Sequence, residues 1–185
     1  MGIIQLTPWT KNTDIHTPPT AEEKVRLYDE RVRGFQLDVA DSMMKGALIA
    51  WAGFASLAVV VSYFEAYEQH RSGVPSKSDS GKAFRRGVLD VFPTIGANDN
   101  QIDTLWERLR CGLYHNGVPH GYVVIGPDYQ DALKYSATDD TWYINPEKVI
   151  GTLKEHHDRY VATLIPSSGA MARFARFFNH YWGLS

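Results

Sequence analysis

Apolar residues recur at helical spacing through most of the chain, and one stretch breaks the rhythm by being apolar throughout. Ile102, Leu105, Trp106, Leu109 and Leu113 fall at i, i+3, i+4, i+7 and i+11, the repeat of an amphipathic helix with a single buried stripe. That helix is predicted to begin near Asp99, capped by Asn98 or Asp99, and to stop at Asn116-Gly117, which supplies a left-handed residue. A later helix opens at Pro146 and carries Val149, Ile150, Leu153, His157, Tyr160, Val161 and Leu164 as far as Pro166. Met171, Phe174, Ala175, Phe178 and Trp182 mark a C-terminal one. Ala83 to Phe92 reads as a short helix on Phe84, Val88 and Leu89, and Thr20 followed by Glu23 is a capping box that starts a helix running to about Arg33, with Gly34 as its break.

The uniformly apolar stretch is GALIAWAGFASLAVVVSYF, between Lys45 and Glu65, inside a long helix predicted from about Gln36 to Gln69. Its length meets the criterion for a membrane span. Burial in a bundle or dimer accounts for it equally, since a helix apolar all round must be covered by something. Alanine or glycine at positions 46, 47, 50, 52, 53 and 55 suits close helix packing, and the flanks mix Asp38, Asp41 and Lys45 with Glu65, Glu68, His70 and Arg71. Without a positive cluster on one side, the expectation is a buried helix and no membrane.

Downstream of the Ile102 helix the period changes. Residues 121–126 and 141–144 are short, β-rich and bounded by glycine or polar residues, so a β-hairpin is expected as an insertion over 121–145. Residues 71–81 read as a loop from their Gly, Pro and Ser. Residues 1–19, with Pro8, Pro18 and Pro19, read as an extended N-terminal arm, and 20–185 as a single helical domain. The expected class is mainly α.

At 185 residues the chain supports one substantial core. A formal net charge of −2 gives no global pull toward nucleic acid, so any RNA contact must be local. The lone cysteine, Cys111, rules out an intrachain disulfide, and no signal-like segment opens the chain, so the expected compartment is the cytoplasm. Neither His115 with His120 nor Glu155-His156-His157 has a strong metal-ligand spacing, and no metal or other cofactor is expected. The two histidines at 156 and 157 are expected on a helix face. No P-loop, dinucleotide fingerprint or hydrolase elbow occurs.

The run Arg110-Cys111-Gly112-Leu113-Tyr114-His115-Asn116-Gly117 concentrates the candidate chemistry. It sets a permanently charged fork donor beside a residue type that titrates near neutrality, at a helix end. RCGLYHNG resembles the Arg-x4-6-His signature of HEPN domains, and the likeness extends over roughly residues 35 to 165 through the apolar helix before it and the hairpin and helix after it. The resemblance implies a helical bundle, often homodimeric, that in many branches is a metal-independent ribonuclease. In that reading Arg110 neutralises the phosphate and His115 acts as base or acid. The product ends would be a 2′,3′-cyclic phosphate and a 5′-hydroxyl. A toxin or phage-defence role, with RNA as substrate and a protein antitoxin as partner, belongs to the same expectation. Cys111 departs from the polar residue that often follows the arginine in nuclease members. A non-catalytic HEPN-like module that binds a nucleotide, RNA or a protein is the alternative.

A five-residue step on a regular helix turns about 140°, which puts Arg110 and His115 on different faces. Either the helix unwinds near Gly112 or two copies of the motif converge in a dimer. Glu65 is a candidate partner for the Arg110 fork, while Glu68 is expected in solvent. Tyr114 is placed to stack a base or to pack, Asn116 to orient a phosphate or to cap the helix, and His120 lies close enough in sequence to join them. Arg173, Arg176 and their neighbouring aromatics read either as a nucleic-acid surface or as packed rings with wet arginines.

Overall fold

The computed structural model describes residues 5–16, 18–46 and 49–183 of the chain, and it is mainly helical with one small sheet. Helix α1 (Ala21–Val32) opens on the expected capping box, with the Glu23 N–H donating to Thr20 Oγ at 3.2 Å and the Thr20 N–H to Glu23 Oε2 at 2.9 Å. Gly34 does not break it. A π turn over Arg33–Leu37 leads directly into α2 (Asp38–Lys45). At Gly34 a Cβ would collide with Pro8 and Trp9, so the glycine admits the N-terminal segment against the helix.

That segment is a docked hook and not an extended arm. The Leu6 N–H donates to the Thr10 carbonyl at 2.9 Å, and the hydroxyls of Thr7 and Thr10 both donate to Glu30 Oε2 at 2.7 Å. Leu6, Thr7 and Thr10 are buried as a result. The sequence signal failed here because the anchor is a carboxylate on another element, which periodicity does not reveal. Residues 1–4 of the arm lie outside the described residues, as do Thr17 and residues 184–185.

The long helix expected from Gln36 to Gln69 is three helices. Gly46, extended at φ −79° and ψ 176°, ends α2. Helices α3 (Ile49–Val60) and α4 (Tyr63–Ser72) follow, and the expected start at Ala47 falls outside the described residues. Nor is α3 covered all round: Ala52, Ser56, Leu57 and Val60 are buried, while Ala55 is exposed and Phe54 is 45% exposed. Among the described residues, no helix is long and apolar enough to cross a membrane. Helix α4 ends on left-handed Gly73 and packs against α5 (Ser80–Val91) at Gly87, where a Cβ would strike the Phe64 carbonyl.

The motif helix comprises α6 (Asp99–Leu105), a π turn over Trp106–Cys111, and α7 (Gly112–Asn116). Asn98 caps it, accepting the Gln101 N–H at 3.0 Å, and Gly117 at φ 73° ends it. Ile102, Leu105, Leu109 and Leu113 are buried as the periodicity predicts. Two successive four-residue steps, from Leu105 through Leu109 to Leu113, would drift by about 80° on a regular helix. The wider π turn absorbs that drift and keeps the stripe in line.

Strands β1 (Val123–Ile125), β2 (Leu133–Ser136) and β3 (Thr141–Ile144) form a sheet in the order β1-β3-β2. Both expected strands exist, but they lie parallel, with Val123 opposite Trp142. The antiparallel pair is β2 with β3, Leu133 facing Ile144. Leu-Lys-Tyr-Ser offers one buried apolar residue, Leu133, too little alternation to reveal β2. Trp142 is fully buried, and its indole N–H donates to the Gln101 carbonyl at 3.2 Å, which pins the sheet to α6.

Helices α8 (Pro146–Leu164), capped by Asn145, and α9 (Ser168–Trp182) complete the fold. His156 and His157, expected on a helix face, are both buried within α8. Carboxylates make that burial tolerable: His157 Nε2–H donates to Asp29 at 2.9 Å, and His156 Nε2–H to Asp90 at 3.3 Å while its Nδ1 accepts the Tyr63 hydroxyl at 2.9 Å. On α9, Phe174, Phe177 and Phe178 are packed while Arg173 and Arg176 face outward, the packing arrangement of the two read from sequence.

Candidate functional site

Arg110 leaves the π turn toward α4. Its Nη2 donates to Glu65 Oε2 at 3.2 Å, and the Ser76 hydroxyl donates to Glu65 Oε1 at 2.7 Å. Glu65 is therefore fixed through both oxygens, and it fixes the guanidinium in turn. The guanidinium carbon also lies 4.7 Å from the centroid of the Tyr114 ring, within cation–π range. Arg110 Nε has no protein partner. The arginine side chain is 22% exposed and Glu65 13%, so the pair is shielded from water on most sides yet open on one.

Glu68 behaves differently from its expected solvated role. At 3% exposure it is buried between α4 and α5, accepting Arg71 Nε at 2.8 Å and Arg86 Nε at 2.7 Å. Two arginines from two helices converge on this one carboxylate, which is why it is inside.

His115 occupies the last turn of α7 and is exposed, with no hydrogen bond or ion pair among the described residues. Asn116 Nδ2 donates to His120 Nε2 at 2.8 Å. The loop after α7 folds back to allow this, with the His120 N–H donating to the Arg108 carbonyl at 2.8 Å. Gly112 makes that return possible, since a Cβ there would lie 2.8 Å from the Val118 carbonyl oxygen and 2.9 Å from the His120 nitrogen. The glycine in the motif thus serves loop closure.

The structure brings Arg110, Glu65 and Tyr114 into one group and Asn116 and His120 into another, and His115 bonds to neither. Burial pushes the Cys111 thiol up, outweighing the neighbouring Arg110 charge, so the cysteine is a neutral neighbour. Among the described residues, no three His, Cys, Asp or Glu side chains converge in a way that can hold a metal. Sequence reasoning missed Ser76, which lies in a Ser- and Gly-rich loop with no local mark, and the π turn. Four-residue apolar steps were the available trace of that turn.

Comparisons with protein-family models, with curated proteins and with solved structures found no match.

Proposed function

We propose that this chain is a HEPN-like endoribonuclease that needs no metal and works as a homodimer, with Arg110 and His115 acting on the phosphodiester. The observation that carries the reading is the mounting of Arg110. A largely buried carboxylate and an aromatic ring hold the fork on a side chain that is still 22% exposed, five residues before an exposed imidazole at a helix end. Pre-set positive charge of this kind stabilises the transition state because it costs no reorganisation as phosphate charge builds.

The reaction is a transesterification. The ribose 2′-oxygen attacks phosphorus and the bond to the 5′-oxygen breaks, leaving a 2′,3′-cyclic phosphate and a 5′-hydroxyl. One imidazole takes the 2′-proton and a second delivers a proton to the leaving oxygen. One chain offers a single exposed motif histidine, so two copies supply the pair. Val39 and Phe54, each at least 40% exposed, provide apolar surface that supports dimerisation. A toxin or phage-defence role in the cytoplasm, with an antitoxin protein as partner, extends the same reading.

Cys111 favours a second reading, a HEPN-like module that binds nucleotide, RNA or protein without cleaving. A neutral thiol follows the arginine where a polar group would help catalysis. Incubation of wild type, Arg110→Ala and His115→Ala with structured and single-stranded RNA in excess chelator separates the two. Cleavage to cyclic phosphate ends, lost in both variants, supports the nuclease, and intact RNA across the panel supports the module.

A further inference from the structure

Beside the Arg110 group lies a cavity of about 540 Å³, bounded by α1, α3, α4 and α9, with Tyr114 on its wall. Tyr114 is common to both, lining the cavity and carrying the Arg110 guanidinium carbon 4.7 Å from its ring centroid. The rim is aromatic: Phe35 is 45% exposed, Tyr114 50% and Tyr181 61%. Arg31 sets part of it, with its guanidinium carbon 5.6 Å from the Phe35 centroid and 5.2 Å from that of Trp182.

The floor is polar and unmatched. Tyr28 and His70 line it, 2% and 6% exposed, and the Tyr28 hydroxyl and His70 Nε2 have no protein partner. Gln36 Oε1 and the Trp182 indole N–H are likewise unpartnered. His70 Nδ1–H donates to the Ala66 carbonyl at 2.8 Å, and burial lowers its pKa to about 4, so Nε2 is a neutral acceptor. Two acceptors and two donors, buried and unpartnered, therefore belong to residues that line an aromatic-walled space.

We propose that this cavity is a nucleobase pocket, which takes a base bearing an exocyclic amine, adenine above all, from a nucleotide whose phosphate lies at Arg110. Flat aromatic walls suit the faces of a base. His70 Nε2 and Gln36 Oε1 match the two hydrogens of an amine, and the Trp182 and Tyr28 donors match ring nitrogens. An alkyl chain would leave all four groups unpaired, at a desolvation cost. The volume lies within the roughly 300–1,000 Å³ usual for small-molecule sites. The phosphate placement rests on the reading of Arg110 as a phosphate group's partner, whereas the base placement stands on the cavity itself.

The test is isothermal titration of wild-type and His115→Ala protein with AMP, UMP, ribose 5-phosphate, and short oligoadenylate and oligouridylate RNA. Tyr181→Ala and Gln36→Leu probe the rim and floor, with thermal melts to verify folding. The expected result is that adenine ligands bind, uracil ligands bind more weakly and ribose 5-phosphate not at all. Tyr181→Ala should weaken adenine binding about tenfold, as loss of one stacked ring does, with an unchanged melt. Oligoadenylate tighter than AMP identifies single-stranded RNA as the source, and the reverse order identifies a free nucleotide. Equal binding of AMP and ribose 5-phosphate, equal binding of the two oligomers, or no binding of any ligand overturns the proposal. So does capture of apolar or peptide probes in preference to bases. Base-dependent binding without RNA cleavage would remove the nuclease reading and keep the pocket. Cleavage indifferent to base and to Tyr181→Ala would do the opposite.

Discussion

Glu65 holds Arg110 from the neighbouring helix while its other oxygen is held by Ser76. If the chain is the proposed nuclease, Glu65 is a positioning residue, and its removal should act on RNA cleavage through the arginine. Glu65→Ala is expected to cost roughly 1–3 kcal/mol of stability, as for hydrogen bonds to charged groups, read by urea denaturation. Cleavage should fall less than in Arg110→Ala, and Glu65→Gln, which retains an acceptor, should recover part of it. A Glu65→Ala protein as active as wild type would remove the positioning role.

His115 offers a cleaner separation of chemistry from folding, because it is exposed and makes no bond in the described structure. His115→Ala should lower the cleavage rate by ~10²–10⁴, the usual contribution of a positioned acid or base, with no change in denaturation midpoint. Single-turnover rates in chelator, alongside the denaturation curve, check both halves. An unchanged rate would eliminate the proposed mechanism.

Gly112→Ala tests the loop return. The new methyl group would press on the backbone of residues 118–120, which cannot yield as a side-chain tip can. Overpacking of this kind costs roughly 1–3 kcal/mol, and the amide signals of Asn116 and His120 should shift together in a heteronuclear NMR spectrum. A melt and spectrum like wild type would mean the loop does not fold back on α7.

His70 gives the fold an acid sensitivity. The unfolded imidazole takes a proton near the ordinary histidine value of 6.5, whereas burial delays protonation in the folded chain to about 4. Stability should therefore fall as pH drops through that window, because the unfolded state binds the proton first. His156, also lowered by burial, adds in the same direction. Relative to His70→Asn, which keeps a donor for the Ala66 carbonyl, wild type should lose up to about 3 kcal/mol between the two ends of the window. Parallel pH dependences in denaturant would refute it.

Dimerisation is checked by light scattering with Phe54→Ser as control. The wild type should elute as two copies and the variant as one, without detergent. A wild-type monomer at micromolar concentration would leave the single histidine without its counterpart.

The helical parts of this fold were legible where one face is buried. The Ile102 to Leu113 stripe, the Thr20 and Asn98 caps, and the Gly117 stop were each visible in local sequence and recur in the structure. What stayed hidden depends on distant partners. Glu68 reads as a surface residue because Arg86, which closes over it from another helix, lies far away in sequence, and nothing local shows that His157 pairs with Asp29. The parallel pairing of β1 with β3 was equally unreadable, since alternation identifies strands but not neighbours. At the candidate site the Glu65 to Arg110 pairing was anticipated from charge in apolar surroundings. Ser76 carried no such mark.

The π turn at Trp106–Cys111 makes chain length itself a determinant of aim. At about 100° per residue, the eight residues from Leu105 to Leu113 overshoot a regular helix, whereas seven would return to within about 20° of the starting direction. Excising one residue from the turn should therefore leave a regular helix with Leu113 seated and His115 aimed much as before, so the surplus residue is an insertion that the helix has absorbed on the spot. What it alters is the direction of the side chains inside the turn, Arg110 among them.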